Sequence, residues 1–323
     1  MLSTCVRHLR KVSSLSRLAK RTRTMSYVAV EKGSEYTSNY RIYYRDSKGA
    51  PLSPFHDIPL YANAEQTVLN MVVEVPRWSN AKMEINKTDK LNPIKQDYKK
   101  GKLRFVHNCF PHHGYIFNYG ALPQTWEDPN HRDARTGCLG DNDPLDVLDI
   151  GSRVARRGEV RQVKTLGLMA LIDEGETDWK IIAIDISDPE SGNINDIPDV
   201  EKKMPGLLTA IHEWFKIYKI PAGSLANKFA FGGQAKDKAF ADDVIRMTRE
   251  SWQELIMGKV EGKGVSLANT TIQGSPFMIT KEDAESVIAG ADPHGPPGPI
   301  ESIIVDKWHY VSKEDAAAVK DDD

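Results

Sequence analysis

The chain has 323 residues, with 43 Lys and Arg against 45 Asp and Glu, so its formal net charge is −2 at pH 7. That balance lacks the broad basic field that non-specific nucleic-acid binding requires. A content of 40% hydrophobic and 27% charged residues is that of a globular chain long enough for one large domain or two ordinary ones.

Cys5, Cys109 and Cys138 include no C-x-x-C pair, which argues against a disulfide framework or structural zinc and for a reducing compartment. The most apolar stretch, residues 166–172, is far shorter than the roughly 20 residues of a membrane-spanning helix. Neither a nucleic acid nor a membrane is expected as a partner.

Residues 1–25 carry Arg7, Arg10, Lys11, Arg17, Lys20, Arg21 and Arg23, several serines, and no acid. This composition matches a mitochondrial transit peptide, and Leu2, Val6, Leu9, Val12 and Leu15 fall at helical intervals opposite the basic face. A basic tail is the alternative, and initiation at Met25 would leave a cytoplasmic protein. Localisation is therefore read as the mitochondrial matrix or the cytoplasm, depending on the start.

Strand-like runs follow at 40–44, 67–78, 82–85, 102–106 and 114–119, rich in β-branched and aromatic residues and separated by Pro, Gly, Asn and Asp. Runs at 163–172 and 179–186 read as a hairpin around the acidic turn 173–178. Leu207, Leu208, Ile211, Trp214, Phe215 and Tyr218 have helical spacing after Pro205-Gly206, and a second helix is expected over 242–257. Residues 289–299, rich in Pro and Gly, read as an irregular connection. Strands first and helices later predict an α+β fold: a closed, mainly antiparallel, OB-like β-barrel with flanking helices.

Chemistry concentrates at Asp141-Asn142-Asp143-Pro144-Leu145-Asp146, three carboxylates in six residues. At about 4 Å and an effective dielectric near 20, each carboxylate pair costs roughly 4 kcal/mol unless a positive group intervenes. A hard divalent cation is the natural remedy; a solvated acidic turn is the alternative. An EF-hand is excluded because Asp146 stands where Gly belongs and Ser152 where Glu belongs. The acidic turn at 173–178 suggests a shared polynuclear site.

Lys82, Arg104, Lys180 and Lys219 sit at ends of expected elements, as a small polyanion would need, although any one alone reads as solvated. Tyr115, Tyr119 and Tyr218 offer phenolic donors or half-buried packing. His107, His112 and His113 share no fixed face and read as solvated or capping. No Walker, G-x-G-x-x-G or G-x-S-x-G motif is present, which leaves metal-activated water as the expected nucleophile.

The string Gly140 through Val147, GDNDPLDV, resembles the signature of the soluble inorganic pyrophosphatases of family I, the eukaryotic, magnesium-dependent type. Similar motifs run through NMVVEVPR at 70–77, NAKME at 80–84, KKGKLRF at 99–105, the segment 113–120, DEGETDWK at 173–180 and WFKIYKIP at 214–221. The likeness covers roughly residues 38–312 and implies hydrolysis of pyrophosphate with several Mg²⁺ ions.

By motif position, the resemblance makes Asp141, Asp146 and Asp178 ligands of the first tight metal, with Asp146 shared with the second. Asp143 becomes the general base, Glu84 and Asp173 ligands of metals that arrive with substrate, and Glu74 a supporting acid. Lys82, Arg104, Tyr119, Lys180, Tyr218 and Lys219 become phosphate holders, and Tyr115 a proton donor. It further implies a homodimer, for which Trp78 and Trp308 are candidate surface residues, a single domain over 26–312 and an acidic tail over 313–323.

One segment departs from the pattern. Where the family reads D-G-K-P-E-N, this chain has Ala222-Gly223-Ser224-Leu225-Ala226-Asn227, so altered loop packing or metal dependence is expected there. Two other functions remain open on sequence: hydrolysis of a phosphate ester or nucleotide, and a non-catalytic cation-binding module.

Overall fold

The computed structural model describes residues 26–318. The transit peptide expected at 1–25 and residues 319–323 of the expected acidic tail lie outside the described residues. The fold is sheet-rich with helices around it. A five-stranded sheet comprises Val28–Lys32, Arg41–Arg45, Pro51–Leu52, Met83–Ile85 and Ile94–Gln96. A second sheet of seven strands carries much of the expected chemistry on its inner strands.

The centre of the second sheet is the long hairpin Val160–Asp173 with Glu176–Asp185. Its turn is shorter than the acidic loop expected at 173–178. Only Glu174 and Gly175 connect the strands, with φ of 52° and 91°, the left-handed pair that a two-residue hairpin demands. Asp173 therefore pairs with Glu176 and Asp178 with Leu171 inside the ladder, so both carboxylates gain rigid positions.

Glu176–Asp185 pairs in parallel with Asp146–Asp149, which sets Asp146 beside Lys180. Asp146–Asp149 is antiparallel to Asn118–Ala121, and that strand to Leu69–Val75. Leu69–Val75 is antiparallel in turn to Val160–Asp173. At Gly120 the ladder is so close that a Cβ would lie 2.0 Å from the Val72 carbonyl oxygen, so only glycine fits. Several expected strands prove shorter: 67–78 is strand only over Leu69–Val75, of 102–106 only Lys102–Leu103 is strand, and of 114–119 only its end, in Asn118–Ala121.

Helix α1 spans Ile197–Lys203, α2 Leu207–Ile217, α3 Lys238–Ile256 and α4 Lys281–Ala289. The expected second helix, 242–257, starts four residues earlier because the Asp237 side chain accepts from Phe240 N at 2.9 Å and caps it. α1 and α4 are additions, capped by Asp196 and Thr280. Each buries only two side chains, too few to print an amphipathic period.

α2 buries Leu208, Ile211, Trp214, Phe215 and Ile217. Trp214 donates to the Gly114 carbonyl at 2.8 Å and stacks on Tyr218 at 4.6 Å, so the packing of this helix fixes the residues at its C-terminal end. Truncating such a buried Trp costs about 3–5 kcal/mol. Residues 290–299 are irregular, as expected.

Candidate active site

One cleft at the edge of the seven-stranded sheet is lined by Glu74, Lys82, Glu84, Arg104, Tyr119, Asp141, Asp143, Asp146, Asp173, Asp178, Lys180, Tyr218 and Lys219, together with Met83, Ile85, Ala121 and Pro144. Every site residue read from sequence is in that lining except Tyr115. Tyr115 lies one layer behind, 2% exposed, with its ring 5.1 Å from Tyr119 and 4.9 Å from Trp214.

Local structure explains the convergence. Gly140 lets the acidic segment press against its neighbour, since a Cβ there would lie 2.5 Å from the carbonyl carbon of Glu127. Asn142 takes a left-handed φ of 68° and accepts from Trp126 Nε1 at 2.9 Å, which turns the chain between the two aspartates. Asp143 N donates to Asp141 Oδ1 at 2.9 Å. The parallel pairing of Asp146 with Lys180 then brings the second acidic segment alongside the first.

The cations are threaded among the acids. Lys180 Nζ bonds both Asp146 and Asp178, and Tyr119 donates its hydroxyl to Asp146. Lys219 bonds Asp173. Lys82 lies 2.7 Å from Glu84, while Asp97 holds Arg104 at 2.9 Å. Glu74 Oε1 accepts from Ile85 N at 2.6 Å.

Seven carboxylates line the cleft against four cationic groups, and the acids carry the strain. Burial, then repulsion from Asp143, Asp178 and Asp146, pushes Asp141 well above the usual carboxylate range. Burial pushes Asp178 up to about 7, with Lys180 working against it. Glu74 is raised by burial and by Asp146. Asp173 goes the other way: burial would raise it, but Lys219, then Lys180 and Arg104, bring it below the ordinary value. Burial would strip Lys180 of its proton, yet Asp146 and Asp178 hold the ammonium form well above the lysine range. Tyr218 is pushed up to about 12 by burial, so it stays a neutral donor.

Three polar residues in or beside the cleft are not singled out by sequence. Glu127 is 4% exposed, and one of its carboxylate oxygens lies within 4.8 Å of one from Asp141 and one from Asp178. Lys87 pairs with Asp143 at 2.8 Å. Asp97 sits between Arg104 and Lys82. Each has only a few charged neighbours of mixed sign, such as Asp128 after Glu127 or Asp89 and Lys90 after Lys87, so no dense acidic or basic cluster flags it. Asp146 is outside the 4.8 Å group, its Oδ2 being held by Tyr119 and Lys180.

The donor set suits a hard divalent cation. It is all carboxylate, with no His or Cys in the lining. Glu127 Oε2 and Asp173 Oδ1 are buried with no hydrogen-bond partner, an arrangement costly without a positive group beside it.

The divergent segment 222–227 continues from the end of α2 through a short 3₁₀ turn, Ile220–Ala222. Ser224 N donates to the Lys219 carbonyl at 3.3 Å and Ala226 N to that of Ala318 at 3.1 Å, so backbone bonds hold the loop where side chains differ from the pattern. Of the three histidines read as solvated or capping, His107 lies edge-on to His309 at 4.7 Å, and none lines the cleft.

The family model described as inorganic pyrophosphatase matches residues 71–253. The inorganic pyrophosphatase of Yarrowia lipolytica is 58% identical over 288 residues, 89% of this chain and 98% of that protein. That of Drosophila melanogaster is 56% identical over 287 residues, 88% of this chain and 84% of that protein. The solved inorganic pyrophosphatase of Schistosoma japonicum superposes with a TM-score of 0.82 at 47% identity, covering 88% of this chain and all of that one. With an acidic, lysine-laced cleft inside the matched region, the chain belongs to the family of soluble inorganic pyrophosphatases.

Proposed function

We propose that this chain hydrolyses inorganic pyrophosphate to two phosphates with Mg²⁺ as its cation. The observation that carries the reading is the convergence, from seven separate segments, of acids and cations in one cleft. In this reading Asp141, Asp146 and Asp178 hold the tight cations, Glu84 and Asp173 those that accompany substrate, and Glu74 supports Asp146. When bound, divalent cations there supply Lewis acidity, acidifying water and offsetting phosphate charge.

The chain's own residues do the rest. Lys82, Arg104, Lys180 and Lys219, with the neutral hydroxyls of Tyr119 and Tyr218, grip the phosphate oxygens and neutralise charge as it spreads in the transition state. Asp143, 44% exposed at its side chain against 37% for Glu84, is an open acid of the cleft, and in this reading it takes the proton of the attacking water. The water oxygen bonds one phosphorus, the bridging P–O bond breaks, and the second phosphate departs with that electron pair. Tyr115, which lies behind Tyr119 and outside the cleft lining, is read as the proton donor to the departing phosphate.

The scaffold is proposed as a closed OB-like barrel, because the strand pairings described above return to their starting strand. Residues 26–312 are assigned as one domain and 313–323 as a tail, whose described part holds the short helix Lys313–Ala317. A homodimer is proposed on the exposed aromatics Trp78, Phe110, Trp308 and Tyr310. A presequence at 1–25 would direct the chain to mitochondria, and initiation at Met25 to the cytoplasm. Mass spectrometry of the mature N-terminus separates the two.

The decisive assay is phosphate release with Mg²⁺ from pyrophosphate, compared with ATP and a simple phosphate ester. Pyrophosphate should dominate, and Asp143→Ala should lower kcat about 10²–10⁴-fold with cation binding retained. Wild-type turnover by Asp143→Ala removes the base; preference for the ester removes the substrate.

A further inference from the structure

We propose that Glu127 is a ligand of the tight cation site, completing a buried oxygen cage with Asp141 and Asp178. The inference rests on the reading of the cleft as a divalent-cation site and adds a residue to it. One carboxylate oxygen from each of these three residues lies within 4.8 Å of those of the other two. The Glu127 side chain is almost fully enclosed, and its Oε2 is buried with no hydrogen-bond partner.

Its other oxygen is committed, since Oε1 accepts from Trp179 N at 3.1 Å. Glu127 cannot swing out to find solvent, because its backbone is clamped to the acidic segment. Glu127 N donates to the Asp143 carbonyl, and Asn142 N to the Glu127 carbonyl, each at 2.9 Å. Asp141 and Asp178 each have one oxygen engaged, by Asp143 N and by Lys180. A protonated carboxyl at Glu127 would leave its O–H donor as solitary as the bare oxygen, whereas one cation of oxygen preference satisfies all three side chains and offsets their repulsion. Glu127 thus adds to Asp146, whose Oδ2 is held by Tyr119 and Lys180.

The test titrates Mg²⁺ calorimetrically into the metal-free full chain without substrate, beside thermal unfolding in EDTA and in Mg²⁺. Glu127→Gln keeps an acceptor for Trp179 N and the backbone clamp while removing the charge. It should weaken the tightest Mg²⁺ binding by at least about tenfold. It should also unfold in EDTA at or above the wild-type temperature and gain less from added Mg²⁺. Glu127→Asp, with the charge drawn back by one methylene, should fall between.

Mg²⁺ affinity of Glu127→Gln equal to wild type would overturn the proposal, as would an equal loss of Tm in EDTA and in Mg²⁺, the mark of a purely structural carboxylate. If wild type itself binds no Mg²⁺, the cation reading of the cleft falls with it. Binding by wild type and unchanged binding by Glu127→Gln overturn this inference alone.

Discussion

Two clusters of buried charge lie on the same strands of this molecule and behave oppositely. Asp146–Asp149 carries Asp146 into the cleft at one end and Asp149 into the interior at the other; Glu176–Asp185 does the same with Asp178 and Asp185, and Val160–Asp173 with Asp173 and Arg161. At the inner end Asp149 is fully buried, yet its Oδ1 accepts from Gly151 N and Asp185 N, and its Oδ2 from Asn118 Nδ2 and Arg161. Arg161 also lies 3.1 Å from Asp185 and 3.5 Å from Glu159. At the cleft end, acids outnumber cations, and the carboxylate oxygens Glu127 Oε2 and Asp173 Oδ1 remain unpaired, whereas the atoms without a hydrogen bond at the inner end are Arg161 Nε and Nη2, which face Glu159 and Asp185. Burial of charge therefore does not mark a functional site. What marks it is a buried carboxylate oxygen that no donor of the protein meets.

The sharpest break of this comparison is Arg161→Ala. It leaves Asp149 and Asp185 buried without their shared cation, and should cost about 3–5 kcal/mol in urea unfolding at any Mg²⁺ concentration. A loss that Mg²⁺ repairs would place the inner cluster in the same class as the cleft.

His56 extends the closed class to a titratable group. Its Nδ1 accepts from Trp252 Nε1 at 3.0 Å and its Nε2 lies 3.0 Å from the Ser266 carbonyl oxygen, which specifies the neutral Nε2–H tautomer. Burial holds its pKa down at about 4. Because the folded value is depressed, the stabilisation is complete above the unfolded value near 6.5 and is lost as pH falls from there toward 4. It amounts to about 3 kcal/mol in all. Urea unfolding over that interval should give this slope, and His56→Gln should flatten it.

The readable part of the site was the part crowded in sequence. Asp141, Asp143 and Asp146 betray themselves because three carboxylates in six residues need a reason; Lys180, expected at an element end, instead lies buried in the middle of Glu176–Asp185, where its pairing with Asp146 puts it among the acids. Glu127 and Lys87 give no such signal: each stands among ordinary surface-type charges, Glu127 beside Asp128 and Lys87 near Asp89 and Lys90, and its meaning arises from tertiary approach, through Gly140 for the first and an ion pair to Asp143 for the second.

In the fold, α2 was legible because Leu208, Ile211, Trp214 and Phe215 print a helical period, whereas α1 and α4 are fixed by caps and bury little. The 114–119 run looked like strand because Tyr115 and Phe117 are core aromatics. Side-chain burial there comes without backbone pairing, which composition does not separate.

The finest discrimination comes from matched substitutions at the two ends. Asp141→Asn keeps the acceptor that Asp143 N uses at 2.9 Å and removes one of the mutually repelling charges that raise Asp141. In EDTA the variant, relieved of that repulsion, should be more stable by about 1 kcal/mol. Added Mg²⁺ should reverse the order, because the cation stabilises only a folded chain that retains its ligand. Asp149→Asn removes the charge facing Arg161 and sets an amide against donors already aimed at the carboxylate, so it should be the less stable protein with or without Mg²⁺. Thermal unfolding of the two variants under both conditions decides the matter. If Asp141→Asn is destabilised in EDTA as Asp149→Asn is, the cleft acids are held by the protein alone and the contrast between the two clusters disappears.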